Sequence, residues 1–297
     1  MRSESDTDGC DQDRVPTRGA RSGRSTMVIH AYEPFGTRLP ARDADRETLV
    51  CLLGRFRVLR PDLPGDDLVA GKAIGFLTAL ALHLETGVPR EELLEMLWPE
   101  RESEQAATLL HSLVYSLHRR LCRARRQADI VVFSNGSYAL NQAAGVSTDV
   151  ARFDRIVAEG NRQAAAHQDA DAAELYARAL ALYRGDLVAN ADIYAVIERE
   201  RLRATFLTLL AWLADRCFRQ ADYAAALDHA LRLLGHDACR EDAHRVVMRA
   251  HVRRGERAQA LRQYRLCEDV LRREFDAPPE AATTALFDHI RNDPATL

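Results

Sequence analysis

Two short apolar runs open the regular hydrophobic pattern, and longer helical runs follow them. LVCLLGRFRVLRP, residues 49–61, places these runs on either side of Gly54, which predicts a small β-hairpin. In residues 72–87 apolar side chains recur at helical spacing as far as Gly87, which marks a helix end. Pro89 then begins a second helix at its first turn, with acidic residues close behind it where the helix dipole favours them.

A third helix is predicted from Ser103, its N-cap, to Arg123. DIVVFSNGSYALN, residues 129–141, follows as two strands joined at Asn135-Gly136, a strong hairpin signal. The order of strands, three helices and a hairpin is typical of a winged helix-turn-helix. The apolar positions of the third helix share one face: Ala106, Leu110, Leu113, Val114, Leu117 and Leu121.

From about residue 149 the pattern is helical and rich in Ala and Leu. QADYAAAL at 220–227 aligns with RGERAQAL at 254–261, a shift of 34 residues that is the period of tetratricopeptide repeats. The predicted fold class is therefore mainly α, with an N-terminal winged helix-turn-helix (α+β) followed by an all-α tetratricopeptide-like repeat domain. Breaks between helices are expected at Gly160, Gly185, Gly235, Gly255 and Pro278-Pro279.

Three segments follow from these patterns. Residues 1–45 are rich in Asp, Arg, Ser, Gly and Thr without apolar periodicity, and we interpret them as a disordered leader. Residues 46–146 form the predicted winged helix-turn-helix, and residues 147–297 form the predicted helical repeat domain.

Composition limits the class of protein more than it identifies it. Hydrophobic residues make up 47% and charged residues 29% of the chain, as in globular proteins. No apolar run reaches the length of a membrane span and the N-terminus does not resemble a signal peptide, so a cytoplasmic protein without a membrane partner is expected. The six cysteines, spread without a CxxC motif, are expected to be free thiols, mostly buried.

The third helix carries the most distinctive chemistry. The net charge of the chain is -3, yet residues 103–126 hold five Arg against one Glu. Small polar residues near the start of this helix could reach base edges in the major groove, and the later arginines could neutralise phosphates. A solvated amphipathic helix with a basic end is the alternative. The candidate DNA-binding residues are Thr108, His111, Ser112, Tyr115, His118, Arg119, Arg120, Arg123 and, in the hairpin, Asn135.

The hairpin tip could be the wing of such a domain. It carries no Arg or Lys, so a DNA contact there would depend on Asn135, on serine hydroxyls and on backbone amides, and the hairpin could equally serve only to close the domain. Phe133 and Tyr138 are expected to pack in the core, and Trp98 is expected to fix the turn before the third helix.

Signals of an enzyme or of a cofactor are weak. GDDLVAGKA at 65–73 has five residues between its glycines and lacks the Ser or Thr of a phosphate-binding loop. The spacing of His236, Cys239 and His244 fits no zinc pattern. We therefore expect no catalytic residue, metal or cofactor.

The chain resembles a known family over about residues 47–291: the Streptomyces antibiotic regulatory proteins and related regulators with a bacterial transcriptional activator domain. The resemblance implies an OmpR-like winged helix, a tetratricopeptide-like activator domain, binding to direct repeats upstream of promoters and recruitment of RNA polymerase. Base readout would then fall on the face from Thr108 to Arg119. The sequence departs from the family at His118, where Arg is usual, and in having Lys72 as its one lysine. The motifs that carry the resemblance include LLGRFRV, PREELLEMLWPE, SLHRRL, GSYAL, STDVARF and ARALALYRGDL.

The leading hypothesis is a sequence-specific DNA-binding transcription activator that recruits RNA polymerase at promoters with repeated half-sites. Its expected partners are double-stranded DNA, RNA polymerase and a second copy of the chain, in a nucleoid-associated location. The alternative is a tetratricopeptide-type interaction adaptor with a degenerate winged helix. Arg199, Arg201 and Arg203 are expected to be exposed, either as a solvated face or as a contact for such a partner.

Overall fold

Strands and helices are both present as far as residue 148, and helices alone follow. The computed structural model describes residues 48–60, 69–121, 129–187 and 193–293. The predictions for the leader, for Arg123 and for the first four residues (65–68) of the GDDLVAGKA segment lie outside these ranges. The elements are β1 (Thr48–Cys51), β2 (Arg57–Leu59), α1 (Lys72–Leu82), β3 (Val88–Pro89), α2 (Arg90–Leu97), α3 (Ser103–Leu121), β4 (Val131–Ser134), β5 (Ser137–Leu140), β6 (Val146–Thr148), α4 (Asp149–Ala165), α5 (Asp169–Leu182), α6 (Ile193–Arg219), α7 (Tyr223–His236), α8 (Glu241–Arg253), α9 (Arg257–Phe275) and α10 (Ala281–Asn292).

The strands form two small sheets. In the first, β1 pairs antiparallel with β2 and parallel with β6, and in the second, β5 lies between β3 and β4. The β4–β5 hairpin turns at Asn135 and Gly136, whose φ angles of 51° and 80° fit the left-handed conformations of a type I′ turn. The predicted β1–β2 and β4–β5 hairpins are confirmed. The boundary predicted between residues 146 and 147 falls within β6 and stays a prediction.

Three predicted helix ends shift by local geometry. Ser103 is the first residue of α3 and not its N-cap, since the Ala106 amide donates to the Glu102 carbonyl. Pro89 belongs to β3, a two-residue strand too short to show in the sequence pattern, and α2 begins one residue later. The first helix ends at Leu82, ahead of Gly87, which lies in the turn that leads into β3.

The helical repeats predicted from the 34-residue shift are present. The aligned segments begin α7 at Tyr223 and α9 at Arg257, which are 34 residues apart. Consecutive helices from α4 to α9 pack against each other, and α8 also contacts both α6 and α10 directly. These helices therefore lie in two layers, with α6, α8 and α10 side by side in one layer and with α7 and α9 behind them.

Gly160 does not break a helix, as the sequence suggested, but lies inside α4. A Cβ at this position would meet Cε1 of Tyr176 at 2.5 Å, so glycine is required by the close approach of α5. The Tyr176 ring is fixed in turn by its hydroxyl, which donates to Asn161 over 2.7 Å, and by edge-to-face packing on Trp212. Gly235 also lies within a helix, α7, but with open space beside it.

Replacing Gly160 by alanine is expected to lower the free energy of unfolding by about 2 kcal/mol, because overpacking against a fixed ring outweighs the gain in helix propensity. Gly235→Ala is the matched control, since the added methyl group meets nothing within 4 Å. The control should be neutral or raise stability by about 0.5 kcal/mol. Urea unfolding of the two variants tests this, and equal effects would contradict the packing argument.

A buried carboxylate joins the first sheet to the first helix of the repeats. Asp149, at the start of α4, is 3% exposed and accepts hydrogen bonds from the backbone amides of Leu52 and Leu53 at 2.8 and 2.9 Å. Burial raises the pKa of Asp149 to about 6, although the amides favour the ionised form. The amide of Gly54, the residue after Leu53, donates to the Asp186 carbonyl at 3.1 Å.

The main hydrophobic core crosses this joint without interruption. It runs from Val50 through the helices of the winged helix to Leu233 and Ala243 in α7 and α8. Smaller clusters continue it among α6–α8 and α8–α10. The sheet, the three-helix unit and the first repeats therefore pack as one body over the described residues.

The expectation that Arg199, Arg201 and Arg203 are all exposed is wrong for two of the three. Arg199 and Arg203 are half-buried. Arg199 donates to the Leu187 carbonyl, and Arg203 donates to the carbonyl of His236, the last residue of α7. Arg201 is exposed, but it makes a paired contact with Asp154 of α4 as well as with Glu198.

Candidate nucleic-acid interface

Helix α3 lies across the three-helix unit with one face in the core. Ala106, Leu110, Leu117 and Leu121 are buried, as the spacing predicted, and Leu113 and Val114 are partly buried against the same core. The opposite face is open to solvent over more than three turns. Its exposed side chains are Gln105, Thr108, Ser112, Tyr115 and Arg119.

The small hydroxyls on this face are bonded to their own helix. Thr108 Oγ1 donates to the Glu104 carbonyl at 3.1 Å, and Ser112 Oγ donates to the Thr108 carbonyl at 3.0 Å. In this arrangement each oxygen turns its lone pairs outward. The face therefore presents acceptors to amino groups, such as those of adenine N6 and cytosine N4 in the major groove.

Tyr115 is the most exposed large side chain in the middle of α3, at 69%. It lies between the two hydroxyls and the basic end of the helix. An exposed aromatic ring on a helix provides apolar surface that suits contact with a thymine methyl group.

Charge is distributed unevenly along α3. Arg119 and Arg120 are exposed at its C-terminal end, and Glu102 and Glu104 are exposed at its N-terminal end. Arg60, which follows β2, donates to the Leu121 carbonyl and so closes the helix end. Sequence reasoning missed Arg60, because only the packing of the first sheet beside α3 brings it there.

The two histidines of the candidate site differ in surroundings. His111 is exposed, whereas His118 is half-buried, with its Nδ1 3.6 Å from a carboxylate oxygen of Asp129. Nε2 of His118 is buried without a hydrogen-bond partner among the described residues. His118 thus lies between α3 and the segment before β4, away from the open face.

The hairpin tip extends beyond the core. Asn135 and Gly136 are exposed, and the Gly136 carbonyl accepts from the Arg90 amide at 3.0 Å. The Arg90 side chain is 37% exposed and has only a loose contact with Glu91, at 3.6 Å. Arg90 places a positive charge beside the tip that the hairpin itself lacks. This position of Arg90 could not be predicted from the sequence, because the pairing of β3 with the distant β5 brings Arg90 to the hairpin tip.

Phe133 is not a core residue, and this expectation is corrected. Tyr138 is 5% exposed and packs edge-to-face on Phe76, as predicted, but Phe133 is 54% exposed. The Phe133 ring lies over Tyr138 with centroids 4.6 Å apart, at the place where the core ends. Phe133 therefore covers the outer side of Tyr138 and adds an exposed aromatic surface to the hairpin.

Across the four described ranges, no three His, Cys, Asp or Glu side chains are arranged to hold a metal ion. His244 is packed: its Nε2 faces the Ala238 carbonyl at 2.9 Å, Gln263 donates to its Nδ1 at 2.7 Å, and burial lowers the pKa of the imidazole. A helix both long and apolar enough to cross a membrane is absent from the part of the chain that the structure describes.

Comparison with known proteins identifies a domain match and regulatory relatives of the chain. Residues 148–291 match the bacterial transcriptional activator domain. The chain is 28% identical to the regulatory protein AfsR of Streptomyces coelicolor over 265 residues, which are 87% of this chain and 26% of AfsR. It is 26% identical to the regulatory protein DnrI of Streptomyces peucetius, over 72% of this chain and 81% of DnrI.

These matches agree with the resemblance of the chain to the Streptomyces antibiotic regulatory protein-like family. The members of this family are transcriptional regulators. The chain spans about a quarter of the length of AfsR. Its fold is similar to that of EmbR of Mycobacterium tuberculosis, solved in complex with a low-affinity phosphopeptide, with a TM-score of 0.66 at 20% identity over 82% of this chain and 65% of that one. The predicted fold class, a winged helix followed by tetratricopeptide-like repeats, is confirmed.

Proposed function

We propose that the protein is a sequence-specific DNA-binding transcription activator. The observation that carries the proposal is the open face of α3, where hydroxyl acceptors and an exposed tyrosine precede two exposed arginines. A helix of this kind can place its first turns against base edges and its basic end against phosphates. The activator domain match and the regulatory relatives support a role in raising transcription.

The wing is the second element of the proposed interface. Asn135 at the tip and Arg90 beside it are within the same exposed surface, and Phe133 adds an apolar contact for the sugar-phosphate edge. We assign base contacts to Thr108, Ser112 and Tyr115, and phosphate contacts to Arg119, Arg120 and Arg90. Arg123 belongs to the proposed phosphate contacts on sequence grounds alone. His111, on the flank, is a further candidate, and His118 is the weakest because it is half-buried.

The remaining steps of the proposal follow from the family. The chain would act in the cytoplasm at the nucleoid, bind repeated half-sites as two copies, and recruit RNA polymerase through its helical repeats, since stacked helical hairpins commonly bind other proteins. The adaptor function is the second candidate. The exposed Glu102 and Glu104 at the start of α3 favour it, because carboxylates oppose phosphate.

Selection of bound duplexes from a random pool tests the function. We expect the wild-type chain to enrich a defined sequence, and Thr108→Ala/Ser112→Ala to lose preference at one or two base pairs, about tenfold at each. Ser116→Ala is the matched control, because Ser116 bonds a carbonyl of the same helix but lies on its flank. It should enrich the wild-type sequence.

Failure of the wild-type chain to enrich any sequence, at low salt as well as at physiological salt, would contradict DNA recognition and favour the adaptor. Enrichment that is unchanged in the double variant would move base readout away from α3.

A further inference from the structure

The layer of α6, α8 and α10 carries two arginines that bridge neighbouring helices. Both lie on α8, one turn apart. Arg245 donates to Glu280 at 2.9 Å and to Thr283 at 2.8 Å, at the start of α10. Arg249 points the other way and places its guanidinium 5.7 Å from the centroid of the Phe218 ring of α6. Phe218, Arg249 and Arg245 thus form a strip across the layer, here called the arginine strip.

Arg249 has no carboxylate bonded to it among the described residues. It is half-buried, and its Nε donates to the Arg245 carbonyl of its own helix at 3.3 Å. Burial and the charge of Arg245 both lower its pKa, and the charge of Asp215 only partly opposes them. Arg249 forms no ion pair within the described ranges. The Asp215 carboxylate is held instead by Arg219, at 3.0 Å on the same helix.

A half-buried guanidinium that no carboxylate contacts is costly, and charged groups at such depth are normally paired. The balance of charge is positive at Arg249 itself, because Glu280, Glu241 and Asp242 lie at the Arg245 end of the strip while Asp215 is shared with Arg219. The cation is also fixed in place by the backbone contact and by the aromatic ring. A carboxylate that binds here would therefore find a preorganised guanidinium, and it would remove the free-energy cost of a half-buried charge without an ion pair.

We propose that the arginine strip binds an acidic segment of a partner protein, with a carboxylate of that segment on Arg249 and an apolar side chain on Phe218. The occupant follows from charge complementarity: the strip offers one uncompensated guanidinium beside an aromatic ring. The proposal stands independently of DNA binding by α3, because the strip belongs to the last repeats of the chain.

Fluorescence anisotropy with the full chain tests the proposal. The probe is a fluorescein-labelled peptide of six Glu-Ala pairs, and the matching peptide of Gln-Ala pairs controls for charge. We expect the acidic peptide to bind at least about tenfold more tightly, and Arg249→Gln to lower its affinity about tenfold, the effect of one charged hydrogen bond.

Arg262→Gln is the matched control variant. Arg262 lies on α9 in the other layer, is exposed, and its Nε also donates to a carbonyl of its own helix at 3.3 Å. It should change peptide affinity less than about twofold. The Tm of Arg249→Gln should equal or exceed that of the wild-type chain, because the variant removes an uncompensated charge.

Three results would overturn the proposal: equal binding of the two peptides, equal effects of Arg249→Gln and Arg262→Gln, or a fall in the Tm of Arg249→Gln, which would show that Arg249 stabilises the layer. Loss of duplex DNA binding in Arg249→Gln, with no loss of peptide binding, would assign the strip to DNA and would also overturn it. A failure of α3 to bind DNA would leave the peptide results unaffected.

Discussion

Replacement of Asp149 by alanine is expected to lower the free energy of unfolding by about 3 kcal/mol at pH 5, since two buried amides lose their acceptor. Leu52 and Leu53 directly follow β1, and their backbone amides donate to Asp149 at the start of α4. Both residues are fully buried. Water does not reach them to replace the carboxylate. The variant should therefore loosen the joint between the sheet and α4 first.

The same prediction carries a pH dependence with a definite sign. The pKa of Asp149 is raised from 3.8 to about 6 in the folded chain, so folding favours its protonated form. That contribution to stability is complete below about pH 4 and is lost as the pH rises through 6. From pH 5 to pH 8 the free energy of unfolding of the wild-type chain should therefore fall by about 1 kcal/mol. The difference in free energy of unfolding between the wild type and Asp149→Ala should shrink by the same amount.

Urea unfolding of both proteins at pH 5 and pH 8 provides the measurement. Asp154→Ala is the matched control on the same helix, because Asp154 pairs with Arg201 near the surface. We expect it to cost less than about 1 kcal/mol at either pH. A deficit of Asp149→Ala that stays constant or grows with pH would contradict the burial argument.

The second large effect concerns DNA. Arg119→Gln/Arg120→Gln is expected to weaken binding to the selected sequence roughly 30-fold at 0.1 M salt, from about 1 kcal/mol for each lost phosphate contact. Both arginines are exposed at the end of α3, so the variant should fold normally. Arg262→Gln/Arg265→Gln on α9 removes the same charge from two exposed arginines and should leave DNA affinity within about twofold of the wild type.

Elements with a strong local signal could be predicted from the sequence. The spacing of Leu110, Leu117 and Leu121 fixed the buried face of α3, and Asn135-Gly136 fixed a hairpin, because both signals depend on residues close together in the chain. The 34-residue shift located the starts of α7 and α9 for the same reason.

Features that depend on long-range packing could not be predicted from the sequence. Gly160 suggested a break because glycine is a poor helix former, yet it is required by the Tyr176 ring of another helix. Phe133 occupies a position of its strand that the alternating pattern assigns to the core, but β4 extends past the edge of the core and leaves the ring exposed. Arg90 reaches the hairpin tip only through the pairing of β3 with the distant β5, and Arg60 reaches the end of α3 only through the packing of the first sheet beside that helix.

The charges of the helical repeats show the same limit. Arg199, Arg201 and Arg203 looked like an exposed set, but each contacts another part of the chain. Within α8, Arg249 is the half-buried arginine without an ion pair to a described residue, and no spacing rule distinguishes it from the other arginines of that helix. Its position depends on which helices share a layer, and that follows only from the folded repeats.

The most direct test of DNA binding by α3 is the salt dependence of affinity for the selected duplex, measured for the wild-type chain and for Arg119→Gln/Arg120→Gln. If these arginines contact phosphates, the slope of log K against log salt should be steeply negative for the wild type and shallower by about 2 in the variant. Identical slopes for the two proteins, or an equal change in Arg262→Gln/Arg265→Gln, would contradict DNA binding through this face.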